Sequence, residues 1–533
     1  MTVSPHGRNE ALRANGHSMT TRRNFIQMLG GTLAGLSAPA AGMLGALGAS
    51  VSADAATGPL TIAFPTDVPS WDPLVRVAPN PISIYRSVFD AALDIDVKST
   101  LRAGVVTAWR WKDTAGKVLE LDLRSDVLFH NGDTLTSDDF KFTLFDRLQA
   151  DKSLQVGGIW WALEGIETPS PTRALMHFKA PMITAPAFLG YMGSYILPRK
   201  YFERVGAQGF IAKPIGSGPY RLIAYERDSR ITLSAFDKHW RGAPKIRDVV
   251  FQVVKDPTAR VAAVQASQAD VSGMLPLREA VRLAQGGTHD SKITPTIDSY
   301  LIHMVNGGPT QDRNVRLAMH HAIDKQALVR AFFNNVPAPM STPAAPGTPA
   351  FDTDFKFAFD PAQAKALLAK SGYSTDKPVR VKFLATNGVY PSDYDMARAI
   401  QQMWRKVGIE AELSPIETAQ FFAQAVAGTL PGPTLWMWQN GSGDPELSAG
   451  SYLNPKTGFS VWRSADVSPR LDPLLAELDE ARRIAGYKEF HRWAVGEGYA
   501  LPLMQGIATA SYRKGVQYTP FLSGWMLPDY WSA

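Results

Sequence analysis

The chain contains no cysteine. That excludes disulfides, thiolate-bound zinc, cysteine-ligated iron–sulfur clusters, a cysteine nucleophile and a lipid-modified N-terminal cysteine. It also lacks a basic run of five or more residues. The 55 Lys and Arg are offset by 49 Asp and Glu, for a formal net charge of +6, so the composition offers no footprint for nucleic acid. A phosphate-binding Gly-x4-Gly-Lys-Ser/Thr loop, a His-Glu-x-x-His helix and a Gly-x-Ser-x-Gly elbow are all missing. What is present is ordinary for a globular protein: 45% hydrophobic and 20% charged residues over 533 positions. This is enough for two or three domains with substantial cores.

The N-terminus reads as an address. Thr20-Thr21-Arg22-Arg23-Asn24-Phe25-Ile26 precedes an uncharged Gly/Ala/Leu stretch from Met28 to Val51, and Ala53-Asp54-Ala55 offers small residues for cleavage. This is the layout of a secretory signal, and the pair Arg22 and Arg23 resembles a twin-arginine export signal. A membrane anchor is the alternative, opposed by the Gly and Pro residues and the small-residue exit. The expectation is a signal peptide over 1–55, cleaved to leave a soluble periplasmic protein.

Strand and helix signals alternate along the remainder. Thr61–Phe64 is a short strand ended by Pro65. Leu119–Arg124 alternates as a half-buried strand. Arg230–Leu233 and Val249–Val254 are two more, the latter apolar on both faces as in a sheet interior. Helices are expected over Thr258–Gln268 and, as one continuous element, Asn314–Phe333. Between Val379 and Leu413 a strand, a helix over Pro391–Val407 and a second strand form a βαβ unit, which implies parallel pairing. Ligands of open α/β sheets sit beyond the carboxyl ends of the strands, which singles out the loop containing Asn387. Asn335–Phe351, rich in Pro and Ala, reads as a long surface loop.

Candidate chemistry is sparse. Gly216-Ser217-Gly218-Pro219 reads as a tight turn. His320, His321 and Asp324 do not suit one metal ion, since adjacent helical residues point about 100° apart. Asp138 and Asp139 sit where carboxylates cap a helix. No metal site and no cofactor is expected. Loop aromatics stand out instead: Trp436-Met437-Trp438-Gln439-Asn440-Gly441-Ser442-Gly443-Asp444-Pro445 follows a buried strand, and Trp160-Trp161 lie in a Gly-flanked segment. An indole offers a broad apolar face and one donor, useful for enclosing and orienting a ligand. The other reading of these tryptophans is core or interface packing.

Several segments, in one order, resemble the family 5 extracellular solute-binding proteins of bacterial ABC importers, a group that includes dipeptide-, oligopeptide- and nickel-binding proteins. They are Ser70–Leu74, the long stretch Leu121–Phe140, Pro214–Tyr220, His239–Lys245, Asn314–Lys325 and Leu501–Gln505. The resemblance implies an α/β fold: a two-lobed clamshell with an additional domain inserted in the first lobe. Mapped here, the first lobe is 56–85, 190–300 and 505–533, the inserted domain 86–189 and the second lobe 301–504, with chain crossings near Tyr300 and Gln505 as the hinge. It implies a monomeric receptor, not an enzyme, that captures a small-molecule solute by hinge closure and hands it to an inner-membrane ABC permease. The expected ligand contacts are Trp436, Trp438, Asn440, Gly441, Asp444, Asn387, Trp160, Trp161 and Asp67. In peptide-binding relatives an aspartate stands where this chain has Gly441, so peptides, modified amino acids, sugars and metal chelates all stay open as solutes. A secreted hydrolase is the alternative from another class, and a sensor or chaperone on the same fold is a third.

Overall fold

A computed structural model of the chain describes residues 58–77, 80–457 and 460–533. Arg22, Arg23 and the expected signal peptide lie outside the described residues.

Ten strands form one mixed sheet. In spatial order they are 409–415, 379–385, 434–438, 289–303, 500–513, 271–273, 60–64, 248–253, 230–235 and 220–226. Two of them, His289–His303 and Ala500–Arg513, are far longer than the rest and pair antiparallel at its centre. The register between them slips twice, between Pro295 and Ser299 and between Tyr300 and Leu301. On one side of these slips the second long strand pairs with Val271–Gly273. Beyond the first slip, from Ser299 to His303, the first long strand pairs with Thr434–Trp438. The two halves of the sheet are therefore joined through irregular pairing, where a ladder bends most easily.

Each half contains parallel neighbours. Leu60–Phe64 lies parallel to both Asp248–Val253 and Val271–Gly273. Val379–Ala385 lies parallel to both Ile409–Pro415 and Thr434–Trp438. The βαβ unit is thus present, its helix running Asp393–Arg405. Asp248–Val253 is interior, with a partner on each side, as its two apolar faces imply. A separate four-stranded antiparallel sheet, drawn from 106–178, carries Val118–Leu123 in its interior.

Two expectations change. The stretch 314–333 is two helices, Arg313–His321 and Lys325–Phe333, because the Asp324 carboxylate accepts from the Ala327 N–H and starts a second helix. The segment 335–351 has no regular structure, but it is not a surface loop. Met340, Thr342, Ala344, Ala345 and Ala350 are buried. Its carbonyls at Ala338, Pro343 and Pro346 accept from the Gln505 N–H, the Ser299 hydroxyl and the Gln505 amide. It is a strap laid across the two long strands where their register slips.

Several local features surround this frame. Asp139 and Thr136 form a reciprocal capping box. In the turn Gly216-Ser217-Gly218, Gly216 is required because a Cβ there would meet the Val88 carbonyl oxygen at 2.0 Å. His320 stacks on Phe357 with ring centroids 3.6 Å apart. No cluster of three or more potential metal ligands occurs among the described residues, and no helix among them is long and apolar enough to cross a membrane.

Candidate functional site

The parallel strands of both halves end at a common cavity of about 370 Å³. Pro65, Thr66, Asp67 and Val68 leave Leu60–Phe64, and Lys255 leaves Asp248–Val253. From the other half come Asn387, just past Val379–Ala385, and Glu417 and Thr418, just past Ile409–Pro415. Phe422, Val77 and Val389 supply apolar wall. A narrower space sharing Val77 and Phe422 continues to Tyr191, Met192, Trp436, Trp438 and Gln439. This is the crevice beyond strand carboxyl ends at which α/β sheets take ligands.

Asp393 shapes one wall. It accepts from the Thr386 hydroxyl at 2.8 Å and from the backbone N–H groups of Gly388, Val389, Tyr390 and Tyr394 at 2.8–3.1 Å. Five donors on one carboxylate pin the loop that carries Asn387. Burial nonetheless outweighs these bonds and raises its pKa. Arg260 ties this loop to the opposite wall. It donates to the carbonyls of Val254, Lys255 and Met274 on one half and to Gly388 on the other, all at 2.8–3.0 Å. Its pKa is lowered to about 10 by burial. Asn80 spans the same gap, between the Tyr390 hydroxyl and Thr418.

Of the expected ligand contacts, Asn387 and Asp67 line the cavity. The Asp67 carboxylate is engaged by the Tyr225 hydroxyl and by the N–H groups of Val68 and Asp228, at 2.7–2.8 Å, so it shapes the rim. Trp436 and Trp438 face the narrow extension but are nearly fully buried. Trp436 stacks on Phe421 with centroids 4.1 Å apart, and Trp438 donates to the Leu447 carbonyl at 2.6 Å. Asp444 forms a two-pronged pair with Arg483 at 2.7 and 2.9 Å and starts the short helix Pro445–Ser448. The Asn440 amide nitrogen donates to the Asp444 carbonyl and the Ser448 hydroxyl. Both residues thus hold the loop's shape. At Gly441 a Cβ would meet the rings of Tyr191 and Trp525 at 2.6–2.7 Å, so this glycine admits an aromatic pair stacked 11° from parallel. Trp160 is a core residue, its indole donating to the Gly193 carbonyl at 2.8 Å. Trp161 lies under the Lys456 ammonium, 5.4 Å from its ring centre.

Residues not singled out in the sequence also line the cavity: Arg76, Asn80, Arg227, Lys255, Glu417 and Phe422. Asp228 and Lys255 are paired at 3.1 Å. The available signal was position: Lys255 and Glu417 lie just past the strands Asp248–Val253 and Ile409–Pro415.

The chain matches the bacterial extracellular solute-binding proteins, family 5 Middle, over residues 100–460. It belongs to this family. The family's members are transport receptors rather than enzymes. Among curated relatives, the dipeptide-binding protein of Escherichia coli is 26% identical over 417 residues, covering 72% of this chain and 77% of that protein. The glutathione-binding protein GsiB of Salmonella paratyphi A is 24% identical over 461 residues, covering 84% and 87%. Among solved structures, the dipeptide binding protein from Pseudoalteromonas sp. SM9913 in complex with Met-Leu superimposes with a TM-score of 0.79 at 20% identity, covering 89% of this chain and 100% of that one. The fold is that of the two-lobed periplasmic binding proteins.

Proposed function

We propose that the protein is an exported solute receptor that encloses a small molecule in the 370 Å³ cavity by hinge closure and presents it to an inner-membrane ABC permease. The observation that carries this reading is the cavity's position. It lies between the two halves of one sheet, beyond the strand ends of both, and the halves are joined by long strands whose register slips at 295–301. A ligand touching both walls stabilises the closed arrangement because it binds that arrangement better. The lobe boundaries at 56–85 with 190–300 and 505–533, and at 301–504, belong to this proposal, as does the inserted domain at 86–189. So do the cleaved signal over 1–55 with Arg22 and Arg23, the periplasmic location and the monomeric state.

Thermal melting against pooled metabolites, fractionated by chemical class, tests the reading. One class of small molecule should raise the melting temperature by mass action and be recovered unchanged. Recovery of a hydrolysed product would favour the secreted hydrolase instead.

A further inference from the structure

Thr184 stands one residue before the helix Ala185–Gly190, where a hydroxyl commonly caps its own helix, but it makes no cap there. The side chain is buried and turned toward the segment 444–483. Its hydroxyl accepts from the Arg483 guanidinium at 3.0 Å and donates its one proton to the Glu446 carboxyl. Beside it the Ile183 N–H donates to the Leu475 carbonyl at 3.1 Å. The turn is held from behind by the Met182 N–H, which donates to the Gly116 carbonyl between two strands of the four-stranded sheet. On the far side three elements converge: the short helix Pro445–Ser448, the end of Ser468–Ala476 and the helix Glu480–Gly496. This seam joins the stretches proposed above as inserted domain and second lobe. It also reaches the cavity. The loop whose Trp436, Trp438 and Gln439 border the narrow extension runs on into Asp444 and Glu446, and Trp438 donates to the Leu447 carbonyl. Charge in the seam is unequal: Arg483 grips Asp444 with two N–H groups. Glu446, 3% exposed, has the Thr184 hydroxyl and no ion pair of its own among the described residues.

We infer that the seam of Thr184, Glu446 and Arg483 is a proton-operated latch, which closes over a neutral Glu446 and releases when that carboxyl ionises. The inference rests on the solute-receptor reading and adds a regulation of its closure. Burial raises Glu446 from its ordinary value near 4.5 to about 7; Asp444 adds to the rise, and the Thr184 hydrogen bond and Arg483 oppose it. The helix Glu480–Gly496 also brings Tyr487, kept protonated by burial, and His491, held down to about 4 by burial and so neutral over this range. Gly450 packs against the Glu446 side chain without charge, and the stretch 180–186 has no ionisable residue. Opening the seam hydrates Glu446 and returns it to its ordinary range. Closing therefore takes up a proton between about 4.5 and 7. The closed form is favoured at the acid end of that window, loses ground as pH rises through it, and stays constant above it.

The absence of cysteine lets two spin labels be placed without interference, at Glu164→Cys and Ala485→Cys, both exposed and on opposite sides of the seam. Distance distributions of the whole mature protein, free of solute, are measured at pH 5 and pH 8. The ratio of short-distance to long-distance molecules should be at least about tenfold higher at pH 5. Glu446→Gln, which keeps the shape and cannot ionise, should hold the acid ratio at both values. Thr184→Val, which removes both side-chain bonds, should shift molecules to the long distance at both. A wild-type ratio that ignores pH overturns the latch, as does a full pH response in Glu446→Gln or an undiminished short-distance population in Thr184→Val. Should Thr184→Val not fold, the comparison of wild type with Glu446→Gln decides alone. If pooled metabolites shorten the distance while pH and both substitutions leave it unchanged, the latch falls and hinge closure stands. One unchanging distance in every protein, with and without the pooled metabolites, removes both.

Discussion

The hydroxyl of Tyr390 donates to the side-chain oxygen of Asn80 at 2.8 Å, joining the two walls of the cavity. The other end of Asn80 donates to the Thr418 hydroxyl at 3.1 Å. One short amide therefore bridges a loop after the strand Val379–Ala385 and a loop after Ile409–Pro415 to the opposite half of the sheet.

Removing this bridge should cost little more than its bonds. Asn80→Ala and Tyr390→Phe should each destabilise by about 1 kcal/mol. The double variant should cost less than their sum, because both delete one interaction. Urea unfolding of the four proteins in the cycle measures the coupling, and strict additivity would show the bond carries no energy.

Asp393 should matter more. Asp393→Ala strands five donors that converge on one carboxylate, at a cost of about 3 kcal/mol or more. Hydrogen exchange should accelerate first at the amides of Gly388, Val389, Tyr390 and Tyr394. Faster exchange spread evenly over the sheet would indicate general destabilisation instead of release of the cavity wall.

The 436–445 loop is packed as a core, so its variants should change stability as well as binding. Trp438→Ala removes a buried indole that meets Tyr452 with centroids 4.9 Å apart, and should cost about 3–5 kcal/mol. Gly441→Ala drives a methyl into the Tyr191–Trp525 stack and should cost about 1–3 kcal/mol. Melting of the unliganded variants checks both, and a Trp438→Ala protein as stable as wild type would mean the indole packs less closely than its burial implies.

Asp298 and Glu446 give the stability a defined pH dependence. Burial raises each to about 7 in the folded protein. An unfolded carboxyl ionises near 4, so between about 4 and 7 the unfolded chain releases protons first and stability falls as pH rises; above 7 the penalty is constant. For Asp298 the full effect is at most about 4 kcal/mol. Buried His303, held down to about 3, works oppositely, losing stability as pH drops below its ordinary value near 6.5. The difference between Asp298→Asn and wild type isolates one carboxyl. It should grow from pH 4 to 7 in the variant's favour and then level off. A flat difference, measured without solute, would contradict the burial of a lone carboxyl.

How much of this was legible depended on what carries the pattern. The βαβ unit at 379–413 was readable because its strands and helix each repeat their apolar residues at a fixed period. The end of one helix at His321 was not, because apolar spacing runs on through Ala322 and Ile323, and only the Asp324 cap breaks it. The strap at 335–351 has no period, and its burial is dictated by the long strands beneath it. Tryptophans in a loop signalled a pocket, yet the indole nitrogens of Trp160 and Trp438 are satisfied by backbone carbonyls, as in a core. Asp298 gave no signal at all: one acid in a strand looks solvent-exposed until the bulge and the 440 loop enclose it.

Closure of the two halves on a solute is the central claim, and solution X-ray scattering of the mature protein tests it most directly. The radius of gyration should be measured alone and at saturation with whichever purified solute raises the melting temperature. The account predicts a smaller radius with solute, and Asn80→Ala should start from a larger one. An identical radius in wild type with and without saturating solute, together with an unchanged radius in Asn80→Ala, would contradict hinge closure.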